Sequence, residues 1–411
     1  MNVALTLGIL VIFIGGVLAP SAAFELDDLL LSYWCGPDPS FDAAERYAEV
    51  AACHFNWCLP PCSGATLEHN LAALAACEKH GLKMIVADER ILKRLPEDPQ
   101  FEAELASVVR DYAASPALGG YFIMDEPGAA AFERLAAVHA KLLKLDPGRL
   151  PYINLFPDYA SPEQLGTATY EEYVERFCRI VHPRLLSYDH YALMNDGSLR
   201  PSYFQNMEII RDAALRHGIP FCFILQLIPH GPYRDPSEAE LRWQVNTALA
   251  YGAKGILYFT YWTPGSDPVW EFQRAVITRD GERTAHYRQL QRLNRELRVI
   301  GPVLAKLTSV GVYHTGDLPP GTSAPDSRLP VKVSGGPTVV GLFRHQDGTG
   351  WLMLTNRMMD TPCRVTLRLS GKTAGLSEMS RISGGMIPVP LNDSSVDLEL
   401  RAGEGRLFRL R

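Results

Sequence analysis

The 411-residue sequence has no surplus of positive charge. Its 40 Lys and Arg stand against 46 Asp and Glu, a net charge of -6, and no basic stripe appears. That argues against a nucleic-acid partner. The fingerprints of cofactor sites are missing too. No Gly-x-Gly-x-x-Gly follows the first strand-like run, and there is no phosphate loop, no Gly-x-Ser-x-Gly elbow and no His-Glu-x-x-His helix. No cofactor and no metal are expected. Past the N-terminus, no apolar run approaches the length of a membrane span. Cysteine is modest at eight, five of them between positions 35 and 77. Cys58 and Cys62 near His54 lack the second half of a zinc motif, so loop packing or one or two disulfides is the expectation there.

What is present is an ordinary globular composition, 47% hydrophobic and 21% charged. The chain opens on an uncharged, mostly apolar stretch from Val3 to Leu18, followed by the small residues Ser21-Ala22-Ala23. Residues 1–23 therefore read as a secretory signal, with a secreted or periplasmic product. The weakly charged start leaves an uncleaved membrane anchor as the alternative.

From residue 24 onward, short apolar runs alternate with amphipathic stretches. The strand-like runs are Leu29–Trp34, His54–Leu59, Lys83–Ala87, Gly119–Met124, Pro151–Phe156, Leu185–Tyr191, Pro220–Ile228 and Gly255–Trp262. Helix-like stretches separate them, and a last one covers Thr284–Ile300. Gly81, Gly218 and Gly252 each fall just past a helix end and before an apolar run. The runs are uniformly apolar rather than alternating, which suits a parallel sheet covered by helices. Eight such units predict an α/β fold, a (β/α)8 TIM barrel over residues 24–305. A doubly wound sheet is the alternative. After Pro302 the texture changes to short β-type runs punctuated by Gly and Asp. Residues 306–411 read as a small antiparallel β-sandwich.

In such a barrel the chemistry sits at the C-terminal ends of the strands. There the sequence reads Asp88-Glu89-Arg90, Met124-Asp125-Glu126-Pro127, Asn154-Leu155-Phe156, Asp189-His190-Tyr191, Gln226-Leu227 and Tyr261-Trp262. Acidic groups among Tyr, Trp, Asn and His suit a sugar: aromatic faces stack on apolar sugar faces, and polar groups bond hydroxyls. Glu126 is the candidate general acid, with Asp125 beside it able to raise its pKa by like-charge repulsion. Asp189 is the first candidate for a second catalytic carboxylate, as nucleophile or as base. Glu271 is a weaker one, and Asp88 and Glu89 weaker still because Arg90 suggests a structural pair. Asp125, Asn154, His190, Tyr191, Gln226, Trp262, Trp34 and Glu271 are candidates for binding the carbohydrate.

Residues 24–305 resemble a clan A glycoside hydrolase barrel, similar to the β-galactosidase-like barrels of family 42, and the C-terminal region resembles the small β-domain that follows many of them. The resemblance implies an acid/base Glu ending strand four, a nucleophilic Glu ending strand seven and a Trp ending strand eight. Here Asp125-Glu126-Pro127 and Trp262 stand at the first and third places. Asp125 replaces the usual Asn, and Gln226 is the nearest polar residue at the second. The implied activity is hydrolysis of O-glycosidic bonds by an exported enzyme. Three alternatives remain. One is a catalytically silent carbohydrate-binding barrel, favoured by the missing strand-seven Glu. Another is a substrate-assisted N-acetylhexosaminidase-like enzyme, suggested by adjacent Asp125 and Glu126. The third is a barrel hydrolase or lyase acting on a different substrate.

Overall fold

The computed structural model describes residues 26–266, 269–326, 329–370 and 373–411. The expected signal at residues 1–23 lies outside the described residues. Eight parallel strands come first: β1 (Leu30–Tyr33), β2 (Trp57–Cys58), β3 (Lys83–Ala87), β4 (Leu118–Asp125), β5 (Leu150–Leu155), β6 (Leu186–His190), β7 (Phe221–Gln226) and β8 (Gly255–Phe259). They form one sheet in the order β1-β8-β7-β6-β5-β4-β3-β2, so the chain curls round until β1 pairs with β8. Between β1 and β2 a side chain does the joining. Asn56 accepts from Leu31 N–H at 2.7 Å and donates to the Leu29 carbonyl at 2.9 Å, and its own N–H reaches the Leu31 carbonyl. The architecture is a nearly closed TIM-type barrel.

Nine helices among the described residues accompany the strands: α1 (Ala43–Ala52), α2 (Leu67–Lys79), α3 (Phe101–Tyr112), α4 (Phe132–Leu145), α5 (Pro162–Leu165), α6 (Tyr170–Val181), α7 (Tyr203–His217), α8 (Glu238–Tyr251) and α9 (Ala285–Ala305). Their ends follow from the sequence. Ser237 and Glu240 form a reciprocal capping box at the start of α8. Gly218 and Gly252 close α7 and α8 in the left-handed region, at φ of 66° and 97°, turning the chain directly into β7 and β8. The last helix runs through Pro302 to Ala305 rather than stopping near Ile300.

The barrel interior is filled by Leu30, Ile85, Leu150, Tyr152, Cys222, Ile224 and Leu257, with Phe122, Trp34 and Phe259 above them. Among the eight cysteines, Cys35 and Cys62 form a disulfide that ties the end of β1 to the loop after β2, while Cys53, Cys58 and Cys77 are buried and free.

Beyond α9, nine antiparallel strands among the described residues make two sheets. β9 (Leu307–His314), β11 (Thr338–His345), β12 (Gly350–Asn356), β14 (Leu376–Met379), β15 (Met386–Pro388) and β17 (Gly405–Leu410) form the larger. β10 (Val331–Gly335), β13 (Cys363–Leu369) and β16 (Ser395–Leu400) form the smaller. Val340, Leu352, Val365, Leu367, Leu400 and Phe408 pack between them in a sandwich core. The other face of the larger sheet joins the barrel's own core through Val339, Phe343, Trp351, Met353 and Leu407.

Candidate active site

β4 delivers the acidic pair. Its pairing with β5 slips between Phe122 and Met124, where two steps on β4 match one on β5. This bulge changes the side-chain alternation. Phe122 joins the barrel interior, Ile123 and Met124 both pack into the outer core, and Asp125 is left to meet Asn154 of β5. The next residue, Glu126, has φ of +43°, a left-handed conformation that costs an ordinary residue about 1–2 kcal/mol.

β6 brings Asp189, buried at 4% exposure, into the same place. Asn154 Nδ2 donates to Asp125 Oδ1 at 3.1 Å and to Asp189 Oδ1 at 3.0 Å. Glu126 meets Asp189 directly, and the two carboxyls share a hydrogen bond. Three carboxyls thus converge at the C-terminal mouth of the barrel. Burial and, after it, the charges of Asp189 and Asp125 push Glu126 well above the usual carboxylate range. Burial and Asp125 raise Asp189 as well, while the bonds from Asn154 and Glu126 hold it back. Asp125, which opens onto the cleft but is ringed by protein, is pushed up to about 6 by lost solvation. The arrangement raises all three carboxyls, Glu126 most of all.

These groups line a cavity of about 300 Å³. Trp34, Phe156, Tyr159, Tyr191, Phe259, Trp270 and Phe272 supply its aromatic walls. Arg200 organises one of them from behind: its guanidinium lies 3.9 Å from the Tyr159 ring centre and bonds the Tyr191 carbonyl and the Tyr233 hydroxyl. Among the described residues that line the cavity there is no lysine or arginine. No group of three His, Cys, Asp or Glu among the described residues is placed to hold a metal ion.

Of the residues singled out in the sequence, Trp34, Asp125, Glu126, Asn154, Asp189 and Tyr191 meet at this cavity. Four do not. His190 follows Asp189 and so points to the other side of β6, where it is fully buried against Asn206, Tyr159 and Tyr203. Gln226 spends its amide on the Leu193 backbone and the Arg234 carbonyl. Trp262 is buried against Phe41 and Arg46. Glu271 is exposed and bonded to Gln273. Asp88 is held by Arg90 and Tyr112, the structural pairing its sequence suggested. Tyr159, Tyr233, Trp270 and Phe272 come from loops after the strands, where no period or motif marks them, and strand-end reading passed over them. A larger cavity, about 360 Å³, lies at the opposite end of β7 and β8. The Lys254 ammonium there is committed to the carbonyls of Leu304 and Leu307.

No protein family model and no curated protein matches the sequence. Solved structures do. A family 42 β-galactosidase from G. stearothermophilus aligns over 94% of this chain and 99% of its own, at 10% identity and a TM-score of 0.64. The β-galactosidase from Bacillus circulans sp. alkalophilus aligns over the same shares at 9% identity, also with a TM-score of 0.64. The chain spans 60% of the length of the β-galactosidase from Marinomonas ef1 and 66% of this chain is covered, at 11% identity and a TM-score of 0.49. The fold is that of glycoside hydrolase barrels of the β-galactosidase-like kind, with a C-terminal β-domain.

Proposed function

We propose that the protein is an exported glycoside hydrolase in which Glu126 protonates the leaving glycosidic oxygen. The contact between Glu126 and Asp189 carries this reading: two adjoining carboxyls at a barrel mouth, with Glu126 holding its proton the more tightly, supply a protonated acid near neutral pH, the condition for general acid catalysis. Asp189 is the partner that stabilises positive charge developing on the sugar and acts on the anomeric side. The cavity is at the small end of ligand sites, which favours a terminal sugar unit over a long chain. Its carboxyls and the absence of cations among its described lining favour an uncharged glycoside over a uronate or a sulfated sugar. The likeness to β-galactosidase barrels supports the class of reaction and names no sugar for this chain. Export is part of the proposal, and the Cys35–Cys62 disulfide agrees with an oxidising compartment.

One observation favours a second reading, a sugar-binding barrel without turnover. Catalytic carboxyls stand about 5–5.5 Å apart in retaining and about 6.5–9.5 Å in inverting enzymes, and a hydrogen-bonded pair is closer than either. Glu126, at the start of a loop and less buried than Asp189, must swing away for a sugar to enter. The discriminating experiment is hydrolysis of aryl galactosides, glucosides, fucosides and N-acetylhexosaminides by native protein and Glu126→Gln. Turnover of one class by native protein alone supports the enzyme. Binding without turnover by both proteins supports the silent barrel.

A further inference from the structure

Asn154 lines the cavity, yet its amide has no N–H to spare for a sugar. Behind it, Ser187 Oγ donates to Asn154 Oδ1 at 3.0 Å, and the Tyr152 hydroxyl lies 2.7 Å from Ser187 Oγ. All three side chains are buried inside the barrel. The single Ser187 proton goes to Asn154, so Tyr152 is the donor to Ser187. The carboxyls, not the hydroxyl, decide which way the amide faces. The reverse orientation would set Asn154 Oδ1 against two carboxylate oxygens. The Nδ2 group therefore gives one hydrogen to Asp125 and one to Asp189, and none is left for Glu126.

We propose that Asn154, held by the Tyr152–Ser187 relay, is a positioning residue that decides which carboxyl in the cluster keeps its proton. By donating to Asp125 and Asp189 it favours their ionised forms. Glu126, which receives no such bond, is left as the proton carrier. The role deepens the glycosidase reading, and in catalysis it rests on that reading. The protonation pattern itself does not.

The other titratable groups that line the cavity do not compete, and Asp158, pushed up to about 6 by burial, lies outside it beside His190 and bonded to Ser202. The phenols of Tyr152, Tyr159 and Tyr191 are pushed well above their ordinary value by burial, and that of Tyr173 is raised likewise. His230 on the β7 side is pushed down to about 4 by burial, so it is neutral through the range in which the carboxyls titrate. Arg200 is held behind Tyr159 by its stacking. From β8 the neighbour is Phe259 and from β7 it is Ile224, neither of which titrates.

The test is an infrared titration of the protonated-carboxyl C=O stretch in the full chain, for native protein, Glu126→Gln, Ser187→Ala, Tyr152→Phe and Ser187→Thr. The carboxyl that loses its proton last as pH rises is expected to vanish in Glu126→Gln. In Ser187→Ala the amide loses that hold, and the remaining carboxyl midpoints are expected to rise by roughly one pH unit, the worth of one lost hydrogen bond. Tyr152→Phe should move them in the same direction and by less, and Ser187→Thr, which keeps the hydroxyl, should restore the native values. The highest-titrating band persisting in Glu126→Gln, or Ser187→Ala and Tyr152→Phe both titrating as native, overturns the proposal. The pH dependence of kcat/KM on any hydrolysed glycoside gives the second readout, with the acid limb of Ser187→Ala displaced upward. The titration pattern found without any turnover leaves the positioning role standing and removes the glycosidase. Turnover that depends on Glu126, with an unmoved Ser187→Ala profile, does the reverse.

Discussion

Glu126 occupies a position that a stability-optimised chain would give to another residue. Its backbone is left-handed, its carboxyl is largely withdrawn from water, and two further carboxyls adjoin it. Such local strain is a mark of functional sites. Glu126→Gln keeps the shape and removes the cost of holding a carboxyl protonated above its ordinary range, so it should unfold at an equal or higher temperature, with a gain of about 1 kcal/mol. A melting temperature several degrees lower would contradict this. The pH dependence has a definite sign. Asp125, Asp189 and Glu126 all hold protons more tightly in the fold than ordinary carboxyls do. Their folded values lie above the unfolded ones, so the fold is favoured at low pH, and that contribution is lost as pH rises from the ordinary carboxylate range through the raised values. The stability advantage of a Glu126→Gln, Asp189→Asn double variant over native protein should therefore grow between about pH 5 and about pH 8. Calorimetry at both values checks it; an advantage that shrinks with pH reverses the sign and refutes the raised values.

At the scale of elements, the positions of Glu126 and Asp189 were legible because a parallel strand buried on both faces is a plain apolar run, and the first polar residues after it mark the mouth of the barrel. The sidedness of those residues was less legible. His190 and Gln226 stood at strand ends as Asp189 did, but alternation turned His190 outward and the loop backbone claimed the Gln226 amide. The bulge in β4 that aims Asp125 inward has no sequence signature, since Ile123 and Met124 are equally apolar. The aromatic wall was hidden for another reason: Tyr159, Tyr233, Trp270 and Phe272 come from connections whose paths depend on tertiary packing. In the sandwich, the β-type texture after Pro302 was readable, while β17, Gly405–Leu410, was masked by its interleaved arginines. The disulfide supplies a test at this scale. Cys35–Cys62 closes a separation of 27 residues and fixes the loop beside Trp34. A loop of this size contributes about 3 kcal/mol in the chain-entropy picture. Cys62→Ser should lower the melting temperature by several degrees, and an unchanged melting curve would show that the loop is held without the bridge.

Across the whole molecule, the sandwich is not an appendage. One hydrophobic core runs from α8 of the barrel into β11, β12 and β17. The join is close enough to need glycine: a Cβ on Gly341 of β11 would stand 2.1 Å from the Ala250 carbonyl oxygen. Backbone cannot give way there as a side chain can. Gly341→Ala should destabilise the entire chain by about 1–3 kcal/mol or more, as overpacking does, with barrel and sandwich unfolding in one transition. Two separate transitions in calorimetry would show that the shared core couples them weakly.

The central claim is that Glu126 donates a proton to a departing sugar oxygen. It is tested most directly by hydrolysis rates of aryl glycosides whose phenol leaving groups differ in pKa, for native protein and Glu126→Gln. General acid catalysis predicts that native rates depend weakly on the leaving group. In Glu126→Gln, the most acidic phenols should still be released readily, while those that need protonation should slow by about 10²–10⁴-fold. Equal dependence on the leaving group in the two proteins would contradict the account.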